Sequence, residues 1–420
     1  MEKNYYVNLM EKEIEDINKS GKRHKLLLHS CCAPCSSSVI ELLVKSFDVT
    51  VYYYNPNIYP EDEFEKRYRE QIKFCTEFFS GYNIPVVEDG FNPSEFYRAT
   101  AGLENAREGG ARCTVCYRLR LEKTAMYAKE HGFDYFASTL SVSPLKDADR
   151  LNKIGQTLGK EYSVKFLYND FKKKNGYKRS CEISKETGMY RQDWCGCMYS
   201  KWQRLIDSAK GYIFDLDGTL IDSMPYYETY SPNLVRSFGK EPRPTIRDDV
   251  RLLTSEEVCE YVVKEYDIPH TPAELLDRTY KMLAELYGRD DLLKDGVREF
   301  LEHSKKCGKK LCIASATTGR FIELTLKSNG VYDMFEFYLS CPDLGMYKTK
   351  PDIYYLAAEK MGLSPHEVLV FEDAHHAVLT AKSGNIKVVA VHDECAEKFE
   401  QVIKDNADIY VKSMAELIFE

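Results

Sequence analysis

The sequence predicts an α/β protein built from two Rossmann-like parallel-sheet domains, the second carrying an inserted helical cap. Three observations lead there. Short apolar runs of strand length alternate with longer segments of helical periodicity. Several of those runs end in chemistry-bearing residues, thiols in the first half and carboxylates in the second, as expected where parallel strands end. The pattern also restarts at "LIDSAKGYIFDLDGT", where a polar helix tail stops at Lys210, Gly211 punctuates and a new apolar strand begins. The domains are therefore 1–210 and 211–420, the second with its core at 211–224 and 294–420 and its cap at 225–293.

Element by element, "KLLLH" (25–29) reads as a strand, Ser37–Lys45 as a helix and Asp48–Asn55 as a second strand. "EDEFEKRYREQIKFCTEFF" is a strong helix, "NIPVVED" a strand, Cys116–Gly132 a helix with a glycine stop and Asp134–Thr139 another strand. In the second half, strands run into Asp215, Ser315 and Glu372, and residues 225–293 are rich in helical patterns.

The 420 residues suffice for two or three domains with sizeable cores. No apolar run is long enough to span a bilayer, and the opening residues lack the apolar centre of a signal peptide, so the expectation is a cytoplasmic protein without membrane partners. Charge divides unevenly: net +4 over residues 1–210 and −12 over 211–420. The basic stretch "FKKKNGYKR" suits either a polyanion or a solvated loop.

In a reducing compartment the 14 cysteines matter, because clustered thiols there are metal ligands or catalysts more often than disulfides. Three clusters stand out: "CCAPC" (Cys31, Cys32, Cys35), "CTVC" (Cys113, Cys116) and "CGC" (Cys195, Cys197). The i, i+3 pair shares one face of a helix start, and Cys195 and Cys197 point the same way in an extended segment. Two clusters precede helices, whose N-termini stabilise anionic sulfur. Seven thiols exceed one tetrahedral zinc and suit an iron–sulfur cluster with something more. One or two zinc sites, or a thiol–disulfide pair at Cys32 and Cys35, remain open on spacing alone. The loop has no glycine and Pro34 removes a donor, so it is a poor phosphate cradle.

"HSCCAPCS", "RCTVCYRLRLEKTA", "FDYFASTLSVSP" and "GMYRQDWCGC" together resemble the epoxyqueuosine reductases of the QueH type, over about residues 22–205. The resemblance implies removal of the epoxide oxygen of epoxyqueuosine at the wobble position of tRNA, with a 4Fe–4S cluster, a nearby mononuclear iron and an external electron donor. The ligands it points to are Cys31, Cys32, Cys113, Cys116, Cys195 and Cys197, with Cys35, a position that carries an oxygen ligand in some relatives. Cys75 reads as packing and Cys181 lies outside the motifs. His29 reads as a core histidine. Tyr117, Tyr190, Arg191 and Gln192 flank the cysteines and are open between packing and nucleotide contact. Candidate tRNA contacts are Lys172, Lys173, Lys174, Lys178, Arg179 and the aromatic Trp194.

In the second half, "GYIFDLDGTLIDS" places Asp215 and Asp217 at i, i+2 on a strand end, where a cation must separate the charges. The natural roles are nucleophile for Asp215 and general acid/base for Asp217. Ser315 and Lys348 could bind phosphate, and Glu372 and Asp373 add carboxylates for magnesium. These four motifs resemble the phosphatase and phosphomutase branch of the haloacid dehalogenase superfamily. The resemblance implies an aspartyl-phosphate intermediate, Mg2+ served by Asp215, Asp217, Glu372 and Asp373, and a small phosphorylated substrate. Lys348 is preferred to Lys350. The histidine of mutases is replaced near Tyr227, which favours a phosphatase. The alternative for the whole chain is a zinc-braced RNA-binding module fused to a sugar-phosphate phosphatase or phosphomutase.

Overall fold

The computed structural model describes residues 4–250 and 253–420. The chain divides into two compact units, Met1–Arg204 with Phe419–Glu420, and Leu205–Ile418.

The first unit holds β1 (His24–His29), β2 (Phe47–Tyr53), β3 (Val86–Glu88), β4 (Tyr135–Ser138) and β5 (Lys165–Phe166). Its sheet has the order β3-β2-β1-β4-β5 and every pairing is parallel. Leu26, Leu27 and Leu28 are fully buried at its centre, which explains a continuous apolar run rather than an alternating one. The order reverses between β1 and β4, so their carboxyl ends flank the crevice where such folds bind ligands.

Two helices start earlier than the periodicity predicts. The one after β1 spans Ala33–Leu43, not Ser37–Lys45, because Pro34 is tolerated in a first turn. The long helix spans Ala111–Glu130, so Cys113 and Cys116 both lie in its first two turns. The helix Glu61–Lys73 opens on Glu61, Asp62 and Glu63, favourable to its dipole, and continues into a π-helical turn that buries Cys75.

The second unit holds β6 (Gly211–Phe214), β7 (Lys310–Ser315), β8 (Phe337–Ser340), β9 (Val368–Glu372), β10 (Lys387–Val391) and β11 (Ile409–Val411). All pairings are parallel, in the order β11-β10-β9-β6-β7-β8. Its reversal lies between β6 and β9. Between β6 and Val297–Lys306, the helix that precedes β7, come the helices Met224–Arg236, Ile246–Val250, Ser255–Tyr266 and Pro272–Tyr287. They bury a small core of their own around Leu234, Val235, Cys259, Val262 and Leu275. Thr254 and Thr271 open two of them with capping boxes to Glu257 and Glu274. No described helix is long and apolar enough to cross a membrane.

Candidate functional site

The carboxyl end of β1 delivers the first thiols. Cys31, Cys32 and Cys35 form one group whose sulfurs all lie within 4.8 Å of one another. Cys32 is the extended N-cap of the helix Ala33–Leu43, and its Sγ lies 2.7 Å from that of Cys35. Hydrogen bonds from Cys32 and Cys35 hold the Cys31 sulfur well below the usual thiol range, with Arg120 beside it.

Cys113 and Cys116 come from the start of the helix Ala111–Glu130, and Gly109 N–H donates to Cys113 Sγ at 3.2 Å. Cys195 and Cys197 do not sit in a plain extended strand. Gly196 between them has φ +121°, a conformation that favours glycine, and a Cβ there would lie 3.0 Å from Arg67 Nη1. Lys146 Nζ donates to Cys195 Sγ at 3.1 Å, and Ser200 N–H to Cys197 Sγ at 3.4 Å. These four sulfurs are not members of the tight three-thiol group among the described residues. They do share its electrostatic surroundings: Arg120 interacts with Cys116, Cys31 and Cys195.

The sequence reading missed the cations. Arg67, Arg112 and Arg120 are each 1 % exposed, among the largest fully buried side chains of the protein. Arg120 donates to Asn55 Oδ1 at 2.6 Å and to His29 Nε2 at 3.2 Å. Burial opposes its charge, but Cys116, Cys31 and Cys195 outweigh that and raise its pKa. Lys146 pairs with Glu108 at 2.8 Å; burial would lower its pKa, and Cys195, Tyr117 and Glu108 carry it well above normal. Arg67 Nη2 and Arg112 Nε and Nη2 are buried with no hydrogen-bond partner. A thiol-rich donor set among buried cations fits an anionic metal–sulfur group. Only Arg120, four residues from Cys116 on the same helix face, was signalled by spacing.

His29 is a satisfied core group: its Nδ1 meets Ser138 Oγ at 2.9 Å, and burial with Arg120 pushes its pKa down to about 3. Cys75 receives Gln71 Nε2 at 3.3 Å and is not a member of the three-thiol group, and Cys181 is half-buried on the helix Gly176–Glu186. Tyr117 Oη, Gln192 Oε1, Asn57 Oδ1 and Thr139 Oγ1 are buried and unpartnered. Tyr190 donates to Glu63 Oε2 at 3.1 Å, and Arg191 to Ser180 Oγ at 3.2 Å.

The basic stretch is largely paired. Lys172 meets Asp170 at 2.8 Å, Lys174 meets Glu11 at 2.5 Å, Lys178 meets Glu182 at 3.9 Å and Arg179 meets Glu41 at 2.8 Å. Lys173 is half-buried. The Trp194 ring has Arg67 at 5.1 Å and Lys201 at 5.7 Å.

In the second unit, β6 and β9 deliver Asp215, Glu372 and Asp373 into one group, with a carboxylate oxygen of each within 4.8 Å of the others. Lys348 Nζ bridges Asp215 Oδ1 at 2.5 Å and Glu372 Oε1 at 2.7 Å, while Lys350 is exposed. Burial raises Glu372 to about 7 despite Lys348, and burial beside Asp215 raises Asp373 well above the carboxylate range. Glu372 Oε2 is buried with no hydrogen-bond partner, and a carboxylate oxygen so placed fits a divalent cation. Gly218, φ +79°, lets the loop pass Asp373: a Cβ there would stand 2.5 Å from Asp373 Oδ2.

Asp217 lies outside that group. Its Oδ1 accepts from Ser223 Oγ at 2.6 Å and Tyr287 Oη at 2.8 Å, and its Oδ2 from Thr317 Oγ1 at 2.5 Å. Ser315, at the end of β7, accepts Thr317 N–H at 3.1 Å. His375 begins a helix and stacks on Phe399 at 3.8 Å.

Residues 26–203 match the family model for epoxyqueuosine reductase QueH, and residues 212–391 that for haloacid dehalogenase-like hydrolases. An epoxyqueuosine reductase QueH of Streptococcus pyogenes is 41 % identical over 220 residues, covering 50 % of this chain and 86 % of that protein. One of Thermotoga maritima is 37 % identical over 183 residues, 43 % of this chain and 91 % of that protein. Among solved structures, a putative β-phosphoglucomutase of Thermotoga maritima is 25 % identical with a TM-score of 0.42, covering 50 % of this chain and 96 % of that one.

Proposed function

We propose that this chain, which belongs to the epoxyqueuosine reductase QueH family through its first half and carries a haloacid dehalogenase-like hydrolase domain in its second, joins two chemistries. The first is reduction of epoxyqueuosine to queuosine in tRNA. The observation that supports it most is the Cys31–Cys32–Cys35 group beside buried Arg120. Cys31, Cys32, Cys113, Cys116, Cys195 and Cys197, with Cys35, would hold a 4Fe–4S cluster and an additional iron. When bound, that group supplies single electrons and a Lewis acid for the epoxide oxygen.

The chain's own residues do the rest. Arg120 and Lys146 offset thiolate charge that burial would otherwise make costly. Trp194, flanked by Arg67 and Lys201, offers a face on which a base can stack. Tyr117, whose buried hydroxyl has no partner, holds its proton because burial raises its pKa, and can donate a hydrogen bond to substrate oxygen. The test is anaerobic protein with dithionite and tRNA carrying epoxyqueuosine, read by nucleoside mass spectrometry and metal analysis. Iron with queuosine formation is the expected result. Colourless protein holding zinc alone, with unchanged nucleoside, overturns the reading in favour of a zinc-braced RNA-binding module.

The second chemistry is hydrolysis of a small phosphomonoester. Asp215 attacks phosphorus and becomes the aspartyl-phosphate; Asp217 gives a proton to the leaving oxygen, then takes one from water. Lys348 and Ser315 would grip the phosphoryl oxygens. Asp215, Glu372 and Asp373 would hold Mg2+, which neutralises the charge gathered there. The bridging position of Lys348 between Asp215 and Glu372 supports this assignment most. A panel of phosphomonoesters with and without Mg2+ tests it; release of phosphate from none of them would overturn it.

A further inference from the structure

We propose that Tyr287 is a positioning residue for the acid/base Asp217, and that Tyr227 sets its hydroxyl. The inference rests on the phosphatase reading above. Tyr287 is the last residue of the cap helix Pro272–Tyr287 and is fully buried. Its hydroxyl donates to Asp217 Oδ1 at 2.8 Å. The Tyr227 hydroxyl lies 2.6 Å from that of Tyr287. A phenol has one proton, and Tyr287 spends it on Asp217; Tyr227 therefore donates to Tyr287. The two tyrosines come from opposite ends of the cap region, so the cap itself reaches the carboxylate by a chain of two hydrogen bonds.

The ring of Tyr287 is held independently. It stacks on Phe321 with centroids 5.3 Å apart and planes 17° from parallel. Its hydroxyl also lies 3.3 Å from Thr317 Oγ1, the group that donates to Asp217 Oδ2. Ser223 and Thr317 reach Asp217 from segments following β6 and β7, and Tyr287 adds the contact from the cap. Among the described residues these three hydroxyls fix the carboxylate plane, and Tyr287 is the one that ties it to the cap.

A residue that orients Asp217 acts on both of its proton transfers, but only protonation of the leaving oxygen depends on which ester is used, and kcat/KM reports that step apart from hydrolysis of the shared aspartyl-phosphate. An alkoxide needs that proton to depart, whereas a nitrophenolate does not. The full chain is assayed with Mg2+ on 2-glycerophosphate and on p-nitrophenyl phosphate, as wild type, Tyr287→Phe, Tyr227→Phe and Asp217→Asn. Each Tyr→Phe change keeps the ring and its stacking.

Tyr287→Phe is expected to lower kcat/KM on the alkyl ester roughly 10-fold more than on the aryl ester. Tyr227→Phe gives the same signature in smaller degree, and Asp217→Asn the same in larger degree. Equal losses of kcat/KM on the two esters overturn the assignment of Tyr287 while leaving the phosphatase reading intact. A wild type that hydrolyses neither ester overturns both.

Discussion

Lys146 Nζ lies 3.1 Å from the sulfur of Cys195 and 2.8 Å from Glu108 Oε1, with its side chain 5 % exposed. One ammonium thus ties a thiol of the last cysteine cluster to a carboxylate that precedes the second.

Replacing Lys146 by Met leaves Glu108 without its cation in a largely dry setting. Breaking a buried pair from one side costs about 3 kcal/mol. Urea denaturation should show a loss of that order, and iron per chain should fall. Unchanged stability and iron content would refute the view that this cation balances the thiol site.

Cys32→Ser should remove at least half of the bound iron, because the serine hydroxyl is a far weaker ligand for it than a thiolate. Cys75→Ser should keep it, since Cys75 meets Gln71 and is not a member of the three-thiol group among the described residues. Metal analysis of the two anaerobic variants side by side is the check. Equal loss from both would contradict the assignment.

Gly196→Ala forces a side chain into a backbone conformation of φ +121° and against Arg67. Strain of this kind costs about 1–3 kcal/mol. The turn holding Cys195 and Cys197 should shift, lowering both thermal stability and iron content. A variant with wild-type values for both would show that the turn tolerates a side chain.

Mg2+ should stabilise the second unit, because it meets carboxylates that burial disfavours; at 100 times Kd the gain is about 2.7 kcal/mol. In the metal-free protein Glu372 is raised to about 7, so it binds its proton more tightly folded than unfolded. The stability this contributes is present below the ordinary carboxylate range and is lost as pH rises through about 7. Mg2+ must displace that proton, so its thermal shift should be larger at pH 8 than at pH 6. Glu372→Gln should abolish most of the shift, as scanning calorimetry can record. A shift independent of pH and of Glu372 would remove Glu372 from the metal site.

The alternation of strands and helices through β4, the strand ends at Asp215, Ser315 and Glu372, the thiol clusters and the paired aspartates of the second half are legible in the residues, because strand length, helical period and i, i+2 or i, i+3 spacing are local properties; β5, β8, β10 and β11 are not among the strands named from them. The helices at Ala33 and Ala111 start before their apolar periodicity does, because the thiol segments that interrupt that pattern are themselves the first turns. The same locality explains what stayed hidden. Arg67, Arg112 and Lys146 look like ordinary solvent-facing charges in a row of letters, and Tyr287 lies seventy residues from Asp217. Only the folded sheets, by bringing distant strand ends together, bury those cations beside sulfur and set a cap tyrosine on a core carboxylate. A charge acquires its meaning from what surrounds it, and the surroundings are made by chain segments far apart in sequence.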